Sequence, residues 1–500
     1  MKRLSIALIF FTVIVGLWNS APCFSQETLS SQAMDDDPIA AVLDSLYKLN
    51  LFEKGYGKVH YPKNPKYHFA IDSVPRYDEI IYESRLAKLD DSSPFDLQYN
   101  SIVKGYIEMY TFRKRELVSR MMALSQFYFP MFEEALDKYN LPLELKFLAI
   151  CESALNPLAK SHSGAMGLWQ FMYPTGKMYG LKVSSYIDER CDPYKSTIAA
   201  CEYFQYLYQL FGDWQMVLAA YNGGPGTVNK AIRRSGGKRT YWEIRPYLPR
   251  ETQGYVPAFI AVNYVMNYTD EHNLYSATPK KTFLQVDTIT VKRQLSFDQI
   301  SAVLDISIDE IQYLNPSYRR KIIPVSPEDP NTLTLPENKM GAFVTNEDKI
   351  YNYLKNDSLT SKNVLAMQET RKTYTVKAGE QLSTIARKYH CSVVDIKTWN
   401  GISSNTVKAG RKLIIYVYQK VPPVAKKTVE VPKNDAISVV ENNEPKNIAE
   451  EFKYYTVKKG DSLYKIAQKN NTTIEEIKRL NNFGANYNLL PGKKIKIGRN

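Results

Sequence analysis

The sequence predicts a multidomain chain, with a mainly α-helical domain in its middle and small α+β modules of βααβ order behind it. Three observations predict this. The chain has 500 residues and 57.4 kDa, more than one compact core holds. Its middle carries runs of apolar residues at helical spacing, as in Leu145, Leu148 and Ala149. Its last third repeats itself.

Composition narrows the class. Hydrophobic residues make up 44% and charged residues 23%, with a mean hydropathy of -0.37. That excludes a polytopic membrane protein and a wholly disordered chain. Lys plus Arg number 65 against 52 Asp plus Glu, a net charge of +13. Such a surface favours a polyanionic partner, and charge alone does not choose among nucleic acid, acidic lipid and cell-wall polymer.

The first residues point to export. Lys2 and Arg3 precede an apolar run from Ile6 to Trp18, and small residues follow. This is the layout of a secretory signal peptide over 1–25, with cleavage before Gln26. The run falls short of the roughly 20 residues that span a bilayer. A rival reading acylates Cys23, but it asks for an aliphatic residue at Ser20 and a small one at Pro22. A periplasmic or envelope location is expected. Export makes cell wall a more natural polyanion than nucleic acid, and no nucleic-acid role is expected. Beyond Cys23 the cysteines are Cys151, Cys191, Cys201 and Cys391. Cys191 and Cys201 are the close pair; a disulfide and small free core residues are both open. No Cys/His cluster has metal spacing, so neither metal nor other cofactor is expected.

After the leader comes an amino-terminal extension, 26–100. It is rich in Tyr and Pro and reads as irregular to about 76, with helix over Asp78 to Leu89. A second helix is expected from Val103 to Tyr139, opening a helical domain over 101–275. Within it, Leu141-Pro142 introduces a helix from Leu143 to Glu152. Glu152 continues the apolar stripe of Leu145, Leu148 and Ala149. A carboxyl desolvated there stays protonated near neutrality, as a general acid requires. On helix geometry alone, a glutamate fraying into water is the competing reading. The surroundings favour chemistry. Ser163-Gly-Ala-Met-Gly-Leu-Trp-Gln170-Phe-Met172 has two glycines three apart, which let backbone approach a ligand. Ala220-Tyr221-Asn222 ends a helical run before Gly223 and Gly224, and Glu251-Thr252-Gln-Gly-Tyr255-Val256 follows.

The carboxyl-terminal third holds the repeats. Tyr374 to Ala386 (YTVKAGEQLSTIA) aligns with Tyr455 to Ala467 (YTVKKGDSLYKIA), and Asn400 with Asn481. A degenerate copy runs through Val291, Phe297, Ile300, Ile311 and Asn315, with Gln294 where the others have Gly379 and Gly460. We expect modules over 286–337, 373–418 and 454–498, joined by linkers over 338–370 and 419–452.

These modules resemble LysM domains, which bind the N-acetylglucosamine-containing chains of peptidoglycan and chitin. The resemblance implies glycan-binding positions at Gly379, Glu380, Gln381 and Leu382, and at Gly460, Asp461, Ser462 and Leu463. The four motifs of the helical domain, in their order, resemble the soluble-lytic-transglycosylase family, and in layout its membrane-bound lytic murein transglycosylase D type. The resemblance implies a lysozyme-like fold. It implies Glu152 as the catalytic acid, with Ser153, Gln170, Met172, Tyr221, Asn222, Glu251 and Tyr255 at the substrate. The implied reaction needs one carboxylate. Glu152 protonates the glycosidic oxygen between N-acetylmuramic acid and N-acetylglucosamine, then takes the proton of the sugar's own C6 hydroxyl as the 1,6-anhydro ring closes. Peptidoglycan strands are the expected partner, with a monomer and weak membrane association. Two other readings stay open: a hydrolytic muramidase using Asp188, Asp192 or Asp213 to activate water, and a non-catalytic wall-binding scaffold. For Glu251, a salt bridge to Arg245 or Arg250 is the structural alternative.

Overall fold

The computed structural model describes residues 37, 56–279, 281–324, 330–353, 367–389, 391–402, 404, 406–420, 452–458, 463–470, 472, 474–481 and 492–499. The expected signal peptide, the Cys23 question and all but Asp37 of residues 26–55 lie outside these residues.

The helical domain begins with α1 (Glu79–Asp90) and α2 (Ser101–Glu108). Asn100 caps α2, its Oδ1 accepting from Ile102 N at 3.1 Å and Val103 N at 3.0 Å. The expected continuous helix to Tyr139 is divided instead. A π-helical turn (Met109–Arg113) separates α2 from α3 (Arg115–Lys138), which buries Leu117, Met121, Tyr128 and Phe132. Next, a 3₁₀ turn (Leu143–Phe147) leads into the short α4 (Leu148–Ser153), all of whose residues but Glu152 are buried. The helices α5 (Tyr173–Met178), α6 (Pro193–Phe211), α7 (Trp214–Gly223), α8 (Pro225–Arg234), α9 (Tyr241–Ile244) and α10 (Arg250–Asn267) complete the domain. Its core joins Phe132, Trp169, Phe204 and Phe259. Cys151, Cys191 and Cys201 are buried and free, and Cys391 is half-buried and free.

The extension is more ordered than its composition implies. Strand β1 (Tyr56–Val59) pairs antiparallel with β2 (Ala277–Pro279), beyond the end of α10. Asn273 Nδ2 reaches the carbonyls of Ala70 at 2.9 Å and Ser73 at 2.8 Å, and Tyr67 donates to Glu271 at 2.8 Å. His272 is fully buried here and lies 3.0 Å from the Tyr264 hydroxyl. Burial and the Arg85 charge push its pKa down to about 3, so it stays neutral.

Each repeat forms a two-stranded antiparallel sheet covered by two helices. In the LysM-like unit these are β3 (Val286–Thr290) with β6 (Thr332–Pro336), and α11 (Phe297–Leu304) with α12 (Ile308–Leu314). A short extra pair, β4 (Leu295–Ser296) with β5 (Ile322–Ile323), sits inside it. The segment expected as a linker over 338–370 departs from expectation. Its described part to Asn352 folds as α13 (Glu337–Thr345) and α14 (Glu347–Asn352), which bury Phe343, Ile350 and Tyr351 in that unit's core. The apolar pattern of a covering helix is carried there by three side chains, too few to stand out as a period. The second unit pairs β7 (Met367–Thr375) with β8 (Lys412–Lys420) around α15 (Leu382–Lys388) and α16 (Val393–Asn400). The third pairs β9 (Phe452–Thr456) with β10 (Lys494–Arg499) around α17 (Leu463–Lys469) and α18 (Ile474–Asn481). Of the second expected linker, 419–452, only the ends that extend β8 and β9 are described.

One asparagine repeats the same task three times. Asn400 Nδ2 donates to Ile396 O and Ile414 O at 2.8 Å, and its Oδ1 accepts from Ile414 N at 2.7 Å. Asn315 and Asn481 tie helix to strand in the same way. Asn400→Ala strands both polar groups of Ile414. We predict a local cost of about 2 kcal/mol, read as roughly 30-fold faster amide exchange at Ile414.

Candidate active site

Glu152 stands on the last turn of α4. The chain then breaks sharply: Ala154 and Leu155 take left-handed conformations, with φ of 50° and 62°. This stops the helix one residue after Glu152 and turns the chain toward the glycine loop. The Glu152 side chain is partly buried, and the Tyr255 hydroxyl from α10 donates to its Oε1. Desolvation pushes the carboxyl up to about 8, and the negative charge of Glu251 adds to the rise. The Tyr255 hydrogen bond acts the other way and does not win. Tyr221 and Tyr255 are themselves pushed well above the ordinary phenol range by burial first, then by Glu152.

Around this carboxyl the structure assembles the other motifs. Tyr221, on α7, donates to Trp169 O at 2.8 Å, and its ring stacks on Phe204 at 5.0 Å. Its hydroxyl therefore binds the glycine loop to α7. Asn222 Oδ1 accepts from Thr252 Oγ1 at 2.8 Å, and its Nδ2 lies 3.4 Å from Glu251 Oε1. The salt bridge considered for Glu251 is not the arrangement found: Arg245 Nε donates to Gln253 O at 2.9 Å. Gly223 makes the α7–α10 approach possible, because a Cβ there would lie 2.8 Å from Thr252 Oγ1. Gln170 has a φ of 46°, and its Nε2 donates to Gly167 O at 2.8 Å and Ala159 O at 3.1 Å. Met172 is exposed.

Two expected contacts are corrected. Ser153 is fully buried, and its Oγ lies 2.9 Å from both Ala149 O and Leu168 O. It holds the glycine loop against α4 and has no exposed surface to offer a substrate. Leu382 is 1% exposed and packs in the core of its LysM unit, because the first residue of α15 points inward. Gly379 and Gln381 are exposed, while Glu380 accepts from Tyr374 at 2.6 Å. Leu463 is partly buried. Gly460, Asp461 and Ser462 lie outside the described residues.

Sequence reasoning missed what holds the glycine loop. Arg190 is 3% exposed and forms a bidentate pair with Asp188, Nε to Oδ1 at 2.9 Å and Nη2 to Oδ2 at 2.8 Å. Its Nη1 donates to Gly164 O at 3.1 Å and Phe171 O at 3.2 Å, one at each end of the loop. At Gly167, with φ of 87°, a Cβ would sit 1.8 Å from Arg190 O. Trp169 is fully buried and donates to Thr197 Oγ1 at 2.9 Å. The carboxylates considered for water activation are all occupied: Asp188 by Arg190, Asp192 by the Lys195 amide at 2.9 Å, and Asp213 by the Met216 amide at 2.8 Å.

Comparison with known families places this arrangement. Residues 130–244 match the transglycosylase SLT domain, and 285–352 match the LysM-like domain of lytic transglycosylase MltD. The chain carries the catalytic domain of a lytic transglycosylase. Residues 374–415 and 455–498 match LysM domains. The transglycosylase is 29% identical over 373 residues to the membrane-bound lytic murein transglycosylase D of Escherichia coli K12, spanning 72% of this chain and 74% of that one. It is 36% identical over 135 residues to the soluble lytic murein transglycosylase of the same strain, 25% of this chain and 21% of the relative. Among solved structures, the 70-kDa soluble lytic transglycosylase of Escherichia coli aligns at 24% identity over 50% of this chain and 44% of that one, with a TM-score of 0.27.

The raised Glu152 pKa makes a stability prediction. Between about pH 4.5 and about pH 8 the folded transglycosylase holds a proton on Glu152 that the unfolded chain has released. Stability therefore falls as pH rises through that window. Glu152→Gln lacks this loss, so its Tm advantage over the wild type should widen steadily from acid to alkaline buffer, as measured by calorimetry. At Gly167 no side chain fits against Arg190 O; Gly167→Ala should lower Tm by several degrees and disable the site.

Proposed function

We propose that Glu152 is the single acid and base of a non-hydrolytic cleavage of the bond between N-acetylmuramic acid and N-acetylglucosamine in peptidoglycan. The observation that carries this is its carboxyl, pushed up to about 8 at the end of a buried helix. It is protonated at neutral pH, as an acid that must donate to a glycosidic oxygen has to be. Tyr255 engages Oε1, which leaves Oε2 to face the sugar. As the bond breaks, Glu152 becomes a carboxylate next to a developing oxocarbenium centre. It then accepts the proton of the sugar's C6 hydroxyl, and that oxygen closes the 1,6-anhydro ring. The nucleophile belongs to the substrate, so no second carboxylate has to activate water. The occupation of Asp188, Asp192 and Asp213 in capping and pairing supports this over a muramidase.

The remaining site residues divide into contact and support. Gln170, Met172, Asn222 and Glu251 border the cleft and would touch the glycan. Tyr221 and Ser153 set the height of the glycine loop over Glu152. The LysM domains bring peptidoglycan binding to the chain, and the exposed turn at Gly379 to Gln381 is the surface we assign to it in the first of them. Tethering such weak sites to the catalytic domain raises the local glycan concentration. No helix among the described residues is long and apolar enough to cross a membrane. We assign an exported, envelope-located enzyme on the signal-peptide layout of residues 1–25.

Mass spectrometry of sugars released from purified peptidoglycan tests the reaction. Products lighter by one water, ending in 1,6-anhydro-muramic acid, are expected from the wild type and at least about a thousandfold less from Glu152→Gln. Reducing-end products would replace this reading with hydrolysis. The neighbours should move the alkaline limb of the pH–rate profile in opposite directions. Tyr255→Phe removes the bond that favours the carboxylate, so the limb shifts to higher pH. Glu251→Gln removes a repelling charge, so it shifts to lower pH.

A further inference from the structure

The two repeats whose first turns are described do not present them alike. In the first LysM unit the turn before α15 is open, with Gly379 and Gln381 exposed and space around the Gly379 Cβ position. In the LysM-like unit the equivalent turn, Lys292 to Ser296, keeps Lys292 and Arg293 exposed but is pinned on one side by its own α14. The Lys292 amide donates to Tyr351 Oη at 2.9 Å, Lys292 Nζ pairs with Glu347 at 2.8 Å, and Arg293 lies over the Tyr351 ring at 4.4 Å. The loop after its second helix is occupied as well, by the catalytic domain. Asp188 N donates to Ser317 O at 2.9 Å, Arg319 N to Tyr186 O at 2.8 Å, and Arg319 Nη1 to Ser184 O at 2.9 Å. Ile187 bridges to Tyr318 and is 8% exposed, seated in the LysM-like core with Leu295 and Phe297.

This contact lies next to the residues that hold the sugar-site loop. Asp188, whose amide is bound by the LysM-like unit, is the carboxylate that fixes Arg190. Arg190 in turn holds Gly164 O and Phe171 O. We infer that the LysM-like unit is a working part of the catalytic domain: by docking on Ser184 to Asp188 it positions the Asp188–Arg190 pair, and through that pair the Gly164–Phe171 loop over Glu152. The inference rests on the transglycosylase reading above. Ile187, Asp188 and Arg319 are positioning residues, since none touches the reacting atoms.

The physical reason for such a brace lies in the loop itself. Gly164, Gly167 and Gln170 all have positive φ, and the loop's own backbone pairing is confined to the isolated bridges Lys160–Met166 and Met166–Phe171. Its carbonyls at both ends are held by one guanidinium, and that guanidinium is only as well placed as Asp188. Residues 186–188 form no strand with the rest of the helical domain beyond the single Val183–Asp188 bridge. Pairing with Ser317 to Arg319 supplies the missing edge. Ile187, buried in the LysM-like core, means that undocking would expose an apolar side chain and two unpaired amides.

The test uses the full chain with Ile187→Ser and, separately, Arg319→Ala. Arg319 is partly exposed, so its removal opens less core than that of Ile187; it also unpairs Asp395 of the first LysM unit, a cost that the Tm measurement records. Hydrogen exchange at the Asp188 and Arg319 amides reports docking, initial rates on purified glycan strands give kcat and KM, and Tm checks folding. Binding to intact peptidoglycan is measured in the Glu152→Gln background. Positioning predicts faster exchange at both amides and a kcat lowered about tenfold or more at temperatures well below Tm. Wall binding should stay within about twofold. Faster exchange with unchanged kcat would make the unit a spacer. Unchanged kcat with weakened wall binding would make it an anchor. Exchange no faster than wild type would show that these contacts do not hold the interface. Each of those three results overturns the inference. Should Ile187→Ser fail to fold, Arg319→Ala decides alone. A wild type that yields no anhydro product would overturn the reaction assignment instead.

Discussion

The constraint on which the site depends is the desolvation of one carboxyl group. Glu152 must lose water on enough sides to remain protonated at neutral pH, yet keep one face open to a glycan strand. The fold meets both demands by ending a buried helix one residue beyond it. All other residues of that helix are buried, and the left-handed pair Ala154 and Leu155 turns the chain away before another helical turn could cover the cleft. A longer helix would bury Glu152 fully; a frayed one would hydrate it and return its pKa to the ordinary carboxylate range.

The remaining architecture supports that placement from three directions. Helix α10 supplies Tyr255 to one carboxylate oxygen and Thr252 to Asn222. Helix α7 supplies Tyr221 to Trp169 O. From below, Ser153 joins α4 to Leu168 O. Backbone carbonyls of the glycine loop are the common acceptors. That suits a loop with little side-chain bulk, whose shape is set by φ values open to glycine and costly for Gln170. The strain at Gln170 is offset by its own amide, which donates to Gly167 O and Ala159 O.

What the sequence made legible was the chemistry carried by adjacent residues. Glu152 at the end of an apolar stripe, the glycine loop and the Tyr221–Asn222 pair before two glycines are local patterns, and the structure brings them together. The repeat alignment was legible for the same reason: Asn315, Asn400 and Asn481 each tie helix to strand. The Asp188–Arg190 pair was not, because two charged residues on a short loop look like solvated surface until their partners at Gly164 and Phe171 are known. Ser153 and Leu382 show the converse error. Adjacency to a functional residue in sequence places the next side chain on another face, and both turn inward. The helices over Glu337–Thr345 and Glu347–Asn352 were hidden because their burial depends on a neighbouring unit and leaves only a faint period.

The repeats divide their labour by what covers them. Three units share one backbone plan, and a βααβ unit of this size has little core to spare. In the LysM-like unit, α13 and α14 add Phe343, Ile350 and Tyr351 to that core, and α14 pins its first turn through Tyr351 and Glu347. The same addition that stabilises the unit ties the backbone of that turn to a helix. The first LysM unit keeps its turn open and has no such added helices among its described residues, so it retains surface for a ligand at the expense of core. Sequence degeneracy at Gln294 follows from this difference. The turn at Gln294, pinned from α14, lacks the positive φ that Gly379 adopts at 76°. A position without positive φ is open to residues other than glycine, and the unit's second loop, Ser317 to Arg319, pairs with the catalytic domain.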